Sequence, residues 1–283
     1  MANTGPAELL ATWEAGLAHQ GPGRGLLLHR AARPEAGTDE LLSMPVGERE
    51  ADLYALRRAL FGARMQVRVE CGACGEDMEF ELDAGNLGAR PRRGDGPLRV
   101  EEGEWTVEFR LPTVADVEAV TAGSGPAGFD TAASSAAGFD AAASSAAAGD
   151  AGNAGDDSPA ALARRLLLAR CTVSATRAGR PVPAGQLRGL RLPEAVQRRL
   201  AEAAEQADPA AEVTLKIACP ECGEATSAEL DIASYLWTEL DSWARDLLLD
   251  VHLLATAYGW SEPEILALSP LRRRYYLELC ADV

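Results

Sequence analysis

Four of the six cysteines stand in two matched pairs, Cys71-Gly-Ala-Cys74-Gly75 and Cys219-Pro-Glu-Cys222-Gly223. A Cys-x-x-Cys turn presents two thiolates at the separation tetrahedral zinc accepts, about 2.3 Å from each sulfur, so two turns complete one closed four-thiolate site. Cys71, Cys74, Cys219 and Cys222 are therefore the candidate metal ligands, for one structural zinc per chain. Gly75 and Gly223 fit that chemistry, because glycine adopts positive φ and lets backbone N–H groups aim at the sulfurs. Two other chemistries compete. A redox dithiol of thioredoxin type places its pair at a helix start, which lowers one thiol pKa; here an acidic, strand-like stretch follows each pair and should raise it. Two disulfides or free thiols fit matched duplication less well. The knuckles carry Glu70, Glu76, Asp77, Glu221 and Glu224, where a nucleic-acid reader would carry Lys and Arg.

The remaining reactive side chains form no catalytic set. Cys171 and Cys280 lie near the ends of apolar helical segments, where buried free thiols are the norm. His19, His29 and His252 have no metal-binding spacing, and His252 reads as a core or rim residue of an amphipathic helix. No Ser-His-Asp or Cys-His set, phosphate loop or glycine fingerprint stands in a suitable context. The chain is read as non-enzymatic, with no catalytic residue and no small-molecule substrate. The Arg90–Arg93 and Arg272–Arg274 runs are most simply solvated faces, with contact to an acidic partner as the alternative for Arg272–Arg274.

The elements that must position the cysteines show in the periodicity. Met65, Val67 and Val69 alternate with polar residues up to Cys71, and Met78, Phe80 and Leu82 alternate with acids beyond Cys74, which predicts a hairpin over 63–84. The unit returns 148 positions later. Val213, Leu215 and Ile217 lead to Cys219, and Glu229-Leu-Asp231 matches Glu81-Leu-Asp83, so 212–232 is an internal duplicate of the first hairpin. Before them, 1–62 reads as short helices on Leu9, Trp13 and Leu17, on Leu26–Leu28, and on Leu53, Leu56 and Leu60 with a cap at Gly62. Residues 233–283 are helical, with Trp243, Leu247, Val251 and Leu254 on one face, a capping box at Ser261 and Glu264, and a last helix opened by Ser269-Pro270. The insertion, 85–211, holds a strand at Trp105–Leu111, a helix start at Thr113 and Asp116, and helices after Ser158-Pro159 (with Leu162, Leu166 and Leu167) and over Leu192–Gln206. Within it, 123–157 is Ala, Gly, Ser and Asp with a near-exact ten-residue repeat, too poor in apolar surface to order itself; Phe129 and Phe139 there are incidental. The fold class is α+β: a zinc-ribbon-like pair of hairpins, helical segments at both ends and a long, partly disordered insertion.

Charge narrows the partners. Lys plus Arg total 27 against 43 Asp plus Glu, a net charge of -16, which offers no field for nucleic acid or anionic lipid. Neither a secretory leader nor a membrane span is recognisable, so the chain reads as cytoplasmic, where paired thiols more often hold metal than form disulfides.

Several segments together resemble a known family. Leu10-Ala-Thr-Trp-Glu14, Met44-Pro-Val-Gly-Glu-Arg49 before a helix ending Leu60-Phe-Gly62, Cys71-Gly-Ala-Cys-Gly75 and Phe109-Arg-Leu-Pro-Thr113 look like the baseplate hub assembly proteins of T-even-type contractile phage tails, above all the versions in phage-like contractile injection systems. The most specific part is Val251-His-Leu-Leu-Ala255, Tyr258-Gly-Trp-Ser261, Glu264-Ile-Leu266 and Leu268-Ser-Pro-Leu-Arg-Arg273 through Tyr276-Leu277. The resemblance covers most of the chain outside 123–157, a tract that departs from the family pattern. It implies an assembly chaperone or minor component of the baseplate hub, with other baseplate or tail-hub proteins as partners and no active-site residue. A zinc-ribbon adaptor or regulator and a thiol-disulfide oxidoreductase are the alternatives; charge speaks against the first and hairpin context against the second.

Overall fold

The computed structural model of the chain describes residues 5–88, 96–123, 159–187 and 189–281. In chain order it runs α1 (Pro6–Leu17), α2 (Pro22–Ala32), α3 (Thr38–Ser43), α4 (Val46–Phe61), β1 (Arg64–Glu70), β2 (Asp77–Asp83), α5 (Ala84–Leu87), β3 (Leu98–Glu102), β4 (Trp105–Phe109), α6 (Val114–Gly123), α7 (Pro159–Cys171), β5 (Thr172–Arg177), β6 (Arg180–Pro181), α8 (Ala184–Leu187), α9 (Glu194–Ala207), β7 (Thr214–Ala218), β8 (Ala225–Glu229), α10 (Ile232–Tyr258), α11 (Glu262–Leu266) and α12 (Pro270–Ala281). Mixed helix and small antiparallel sheets match the expected class at that level. The chain divides into two units, Met1–Pro34 with Ala233–Val283, and Glu35–Ile232. The tract after Gly123 to Asp157, with Phe129 and Phe139, and the Arg90–Arg93 run lie outside the described residues.

The first unit is helical. Leu9, Leu10 and Trp13 are buried on α1, but Leu17, expected on the same face, is 50% exposed. Gly16 takes its place, because the Trp237 ring of α10 lies there: a Cβ on Gly16 would sit 2.2 Å from that ring. Trp13 also donates its indole N–H to Asp241 of α10 at 2.8 Å. Leu247 and Leu254 are buried on α10, which ends at Gly259 with φ 68°. The expected capping box follows, with the Ser261 N–H donating to Glu264 at 2.8 Å. The Arg272–Arg274 run is not uniformly solvated. Arg273 is buried and pairs with Asp250 at 3.2 Å, while Arg272 and Arg274 face outward.

The second unit is built around two cores. In one, α4 buries Leu53, Leu56 and Tyr54 and ends as expected at Gly62, φ 90°. In the other, the insertion carries more sheet than its periodicity announces. The one expected strand is β4, and β3, β5 and β6 join it in the order β3-β4-β5-β6. Val100, Val107, Phe109 and Ala175 of that sheet pack against Leu192, Val196 and Leu200. Strand β5 (TVSATR) alternates only Val173 and Ala175 with polar residues, and Val173 is exposed, so its pairing with β4 (Val107 opposite Ala175) is what reveals it. Helix α7 forms where expected, yet Leu162 and Leu166 are exposed and Leu168 is the residue packed on this core.

Two carboxylates tie this unit together. Asp116, 1% exposed, receives Arg110 at 2.5 and 3.0 Å, Arg170 at 3.0 Å, and the Thr113 N–H and hydroxyl at 3.0 and 2.8 Å. The Thr113–Asp116 helix start is thus present, and it doubles as an anchor for two arginines. Asp208, just past α9, accepts the Gly47 N–H in the first turn of α4 at 3.0 Å. A Cβ on Gly47 would lie 1.9 Å from that carboxylate, so any larger residue would force the Asp208 side chain to shift.

Candidate metal centre

The two hairpins place the cysteines by the same rule. In β1–β2, Met65 faces Leu82, Val67 faces Phe80 and Val69 faces Met78; Met65, Val67, Val69 and Met78 are buried, and the acids between Met78 and Asp83 are exposed. In β7–β8, Leu215 faces Ala228 and Ile217 faces Thr226. At each tip the backbone closes identically. The Cys71 N–H donates to the Glu76 carbonyl at 2.8 Å and the Gly75 N–H to the Cys71 carbonyl at 2.8 Å; Cys219 and Glu224, then Gly223 and Cys219, repeat this at 2.8 and 2.9 Å. Gly75 and Gly223 have φ 73° and 75°, a region side-chain-bearing residues avoid. One expectation is refined here. The glycine N–H groups close the turns onto carbonyls, and the N–H groups favouring thiolate are those of Cys74 and Ala73 toward Cys71, Glu76 toward Cys74 and Glu224 toward Cys222.

The duplicated turns bring all four sulfurs into one cluster, each within 4.8 Å of the others. Cys71 and Cys222 sulfurs are 3.7 Å apart, and those of Cys74 and Cys219 3.6 Å. Four thiolates at about 2.3 Å from a central zinc stand about 3.8 Å from one another, whereas a disulfide needs about 2.05 Å. The cysteines are unbridged, and their spacing suits a tetrahedral metal ion. Cys71 and Cys219 are buried and Cys74 and Cys222 exposed; the Thr226 hydroxyl lies 3.9 Å from the Cys71 sulfur.

The charge state of the cluster fits a cation too. Backbone N–H groups of Cys74 and Ala73 pull the Cys71 thiol down to about 6. Cys74, despite the Glu76 N–H, is pushed up to about 12 by the neighbouring sulfur of Cys222, by burial and by the other two sulfurs. Cys222 is also raised, against the pull of the Glu224 N–H and Cys74. Four crowded sulfurs cannot all ionise by themselves, and a divalent ion removes that conflict. Cys74 and Cys222 are thus raised and Cys71 is not, and the raising comes from the neighbouring sulfurs and burial, not from the acids expected to cause it. The lowered thiol is the buried one, the reverse of a reactive dithiol, whose attacking sulfur must be exposed.

The other sequence-level candidates stand apart from this centre. Cys171 is buried at the end of α7, its thiol pushed up to about 11 by burial and the Asp116 charge, and the Cys280 thiol donates to the Tyr276 carbonyl at 3.1 Å. His29 is buried and His19 and His252 are exposed. Among the described residues no other set of three His, Cys, Asp or Glu side chains converges, and no described helix is long and apolar enough to cross a membrane. Sequence reading missed the arginine partners of Asp116 and the lock of Asp208 on Gly47; the glycine in Met44-Pro-Val-Gly47 was the available signal for the second. Comparison with protein-family models, curated proteins and solved structures finds no match to this chain.

Proposed function

We propose that the chain is a non-enzymatic assembly factor, or a minor structural component, of the baseplate hub of a contractile phage tail or phage-like injection system, with a structural zinc joining a zinc-ribbon-like pair of hairpins. The observation that carries the structural role of the metal is the closed set of four sulfurs, drawn from two identically folded knuckles. A four-thiolate site has no open position for substrate or water, so its metal acts through folding. The baseplate role rests on the resemblance, whose most specific segments run from Val251 to Leu277 through the end of α10, α11 and most of α12. Exposed Glu70, Glu76, Asp77, Glu221 and Glu224 around the knuckles support a protein partner over a nucleic acid.

Two measurements test this. Elemental analysis of protein purified without added metal should find one zinc per chain; two, or none with every thiol titratable, rejects the single closed site. Affinity purification from cells assembling tails should recover baseplate subunits with the chain, and comparison with finished particles then separates a chaperone from a retained component. Recovery of RNA polymerase or ribosomal proteins instead supports the adaptor reading. Metal-free protein with dithiol reductase activity supports the redox one.

A further inference from the structure

Helix α12 has two apolar faces. The inner one holds half-buried Tyr276, Leu277 and Cys280 with buried Arg273, which pairs with Asp250 of α10. Tyr276 also meets Tyr258 and Trp260 edge-on, centroids 5.8 and 4.9 Å apart. On the outer face Leu271, Tyr275 and Leu279 follow one another every fourth residue and are 64, 60 and 59% exposed. At about 100° per residue this stripe lies roughly 150° from the buried face. A helix apolar on both sides is normally covered on both, and a four-residue spacing is the ridge that packs against another such ridge in the commonest class of helix pairs.

The charges bordering the stripe choose among occupants. Arg274 and Glu278 lie along one margin, 3.0 Å apart, and exposed Arg272 lies along the other. A uniformly acidic partner helix meets Glu278 and a uniformly basic one meets Arg272 and Arg274. A mixed pattern suits both margins, and α12 itself carries that pattern when its direction is reversed. We propose that α12 is a self-association surface on which two copies of the chain pair antiparallel about a twofold axis near Tyr275. Leu271 of one copy then packs near Leu279 of the other, Arg274 lies alongside Glu278 in both directions, and the two Arg272 side chains go to opposite ends. A parallel pair would align like charges. The interface is isologous, as a twofold dimer requires. Three side chains a copy cover only a few hundred Å², below the roughly 1,000 Å² of a stable interface, and each copy carries a net charge of -16. The dimer is therefore weak and reversible, with dissociation in roughly the micromolar range or above. This inference rests on α12 alone and does not depend on the assembly role.

Sedimentation velocity of the zinc-loaded full chain at about 0.15 M salt, from about 1 to 300 µM, should show a monomer–dimer equilibrium. Tyr275→Glu should abolish it while leaving the circular dichroism melt unchanged, since that side chain is mostly exposed. Arg274→Glu or Glu278→Arg alone should weaken association at least fivefold, and the double exchange should restore it. A chain that stays monomeric throughout, a dimer indifferent to Tyr275→Glu, or a double exchange no better than either single change overturns the proposal. A chain that stays monomeric but binds a foreign helix through the stripe overturns it in favour of a heterologous partner.

Discussion

Substitution of Asp116 by Asn keeps the shape of the side chain and removes the charge on which Arg110 and Arg170 converge. Breaking a buried ion pair costs about 3–5 kcal/mol, but the two arginine side chains are 42 and 46% exposed, so solvent screening reduces the expected loss to about 1–3 kcal/mol. Burial alone would raise the Asp116 carboxyl; Arg110 and Thr113 outweigh it and hold the group well below the usual carboxylate range. Its contribution is thus present in full above the unfolded pKa of about 3.9 and falls away as pH drops below it toward the folded pKa. The gap between thermal melts of parent and Asp116→Asn should be constant from pH 7 to about pH 5 and begin to narrow only below about pH 4; a gap that does not narrow at all on acidification assigns the effect to packing instead. Gly47→Ala tests the second carboxylate. With Asp208 in place the added methyl should cost about 1–3 kcal/mol, and in an Asp208→Ala background much less, a coupling that urea unfolding of the four proteins measures directly. The Thr113–Asp116 spacing was legible from the sequence because capping is local. Arg170 and Asp208 were not, since each meets its partner across a long stretch of chain.

At the scale of elements, the two hairpins and the sheet of the insertion should differ in what holds them. A lone two-stranded hairpin is marginal in water, and in β7 the side chains of Leu215 and Ile217 are only half-buried. The β3–β6 sheet has its own apolar core with α9. With the proposed zinc in place, its chelation, or Cys219→Ser, should therefore raise hydrogen exchange at Cys71, Gly75, Cys219 and Gly223 and along β7–β8, while Val107 and Ala175 keep their protection. Uniform loss across both would mean that the metal holds the entire unit. Strict alternation made β1, β2 and β4 readable in advance. Strand β5 and the replacement of Leu17 by Gly16 were not, because one follows from pairing and the other from the bulk of Trp237.

For the molecule as a whole, the acidic balance makes a simple prediction. Fluorescence anisotropy with DNA or RNA duplexes at about 50 mM salt, where phosphate contacts are strongest, should show no binding in the low micromolar range. Submicromolar binding that weakens steeply with salt would revive the nucleic-acid adaptor. The division into two units was beyond sequence reading. It joins Met1–Pro34 to Ala233–Val283, and local periodicity carries no record of which distant helix covers an apolar face.

The distance along the chain between the two knuckles also has a meaning in time. At about 5–20 residues per second of synthesis, the 148 positions from Cys71 to Cys219 take roughly 7–30 s to emerge. Throughout that interval a nascent chain presents half of the proposed metal site, two thiols on an unpaired hairpin, to its neighbours on the same messenger. An ion captured early is bridged most readily by the matching half of another copy, giving a cross-linked pair in place of two closed monomers. Slow metal delivery during synthesis, or prompt delivery after release, thus favours the correctly closed chain.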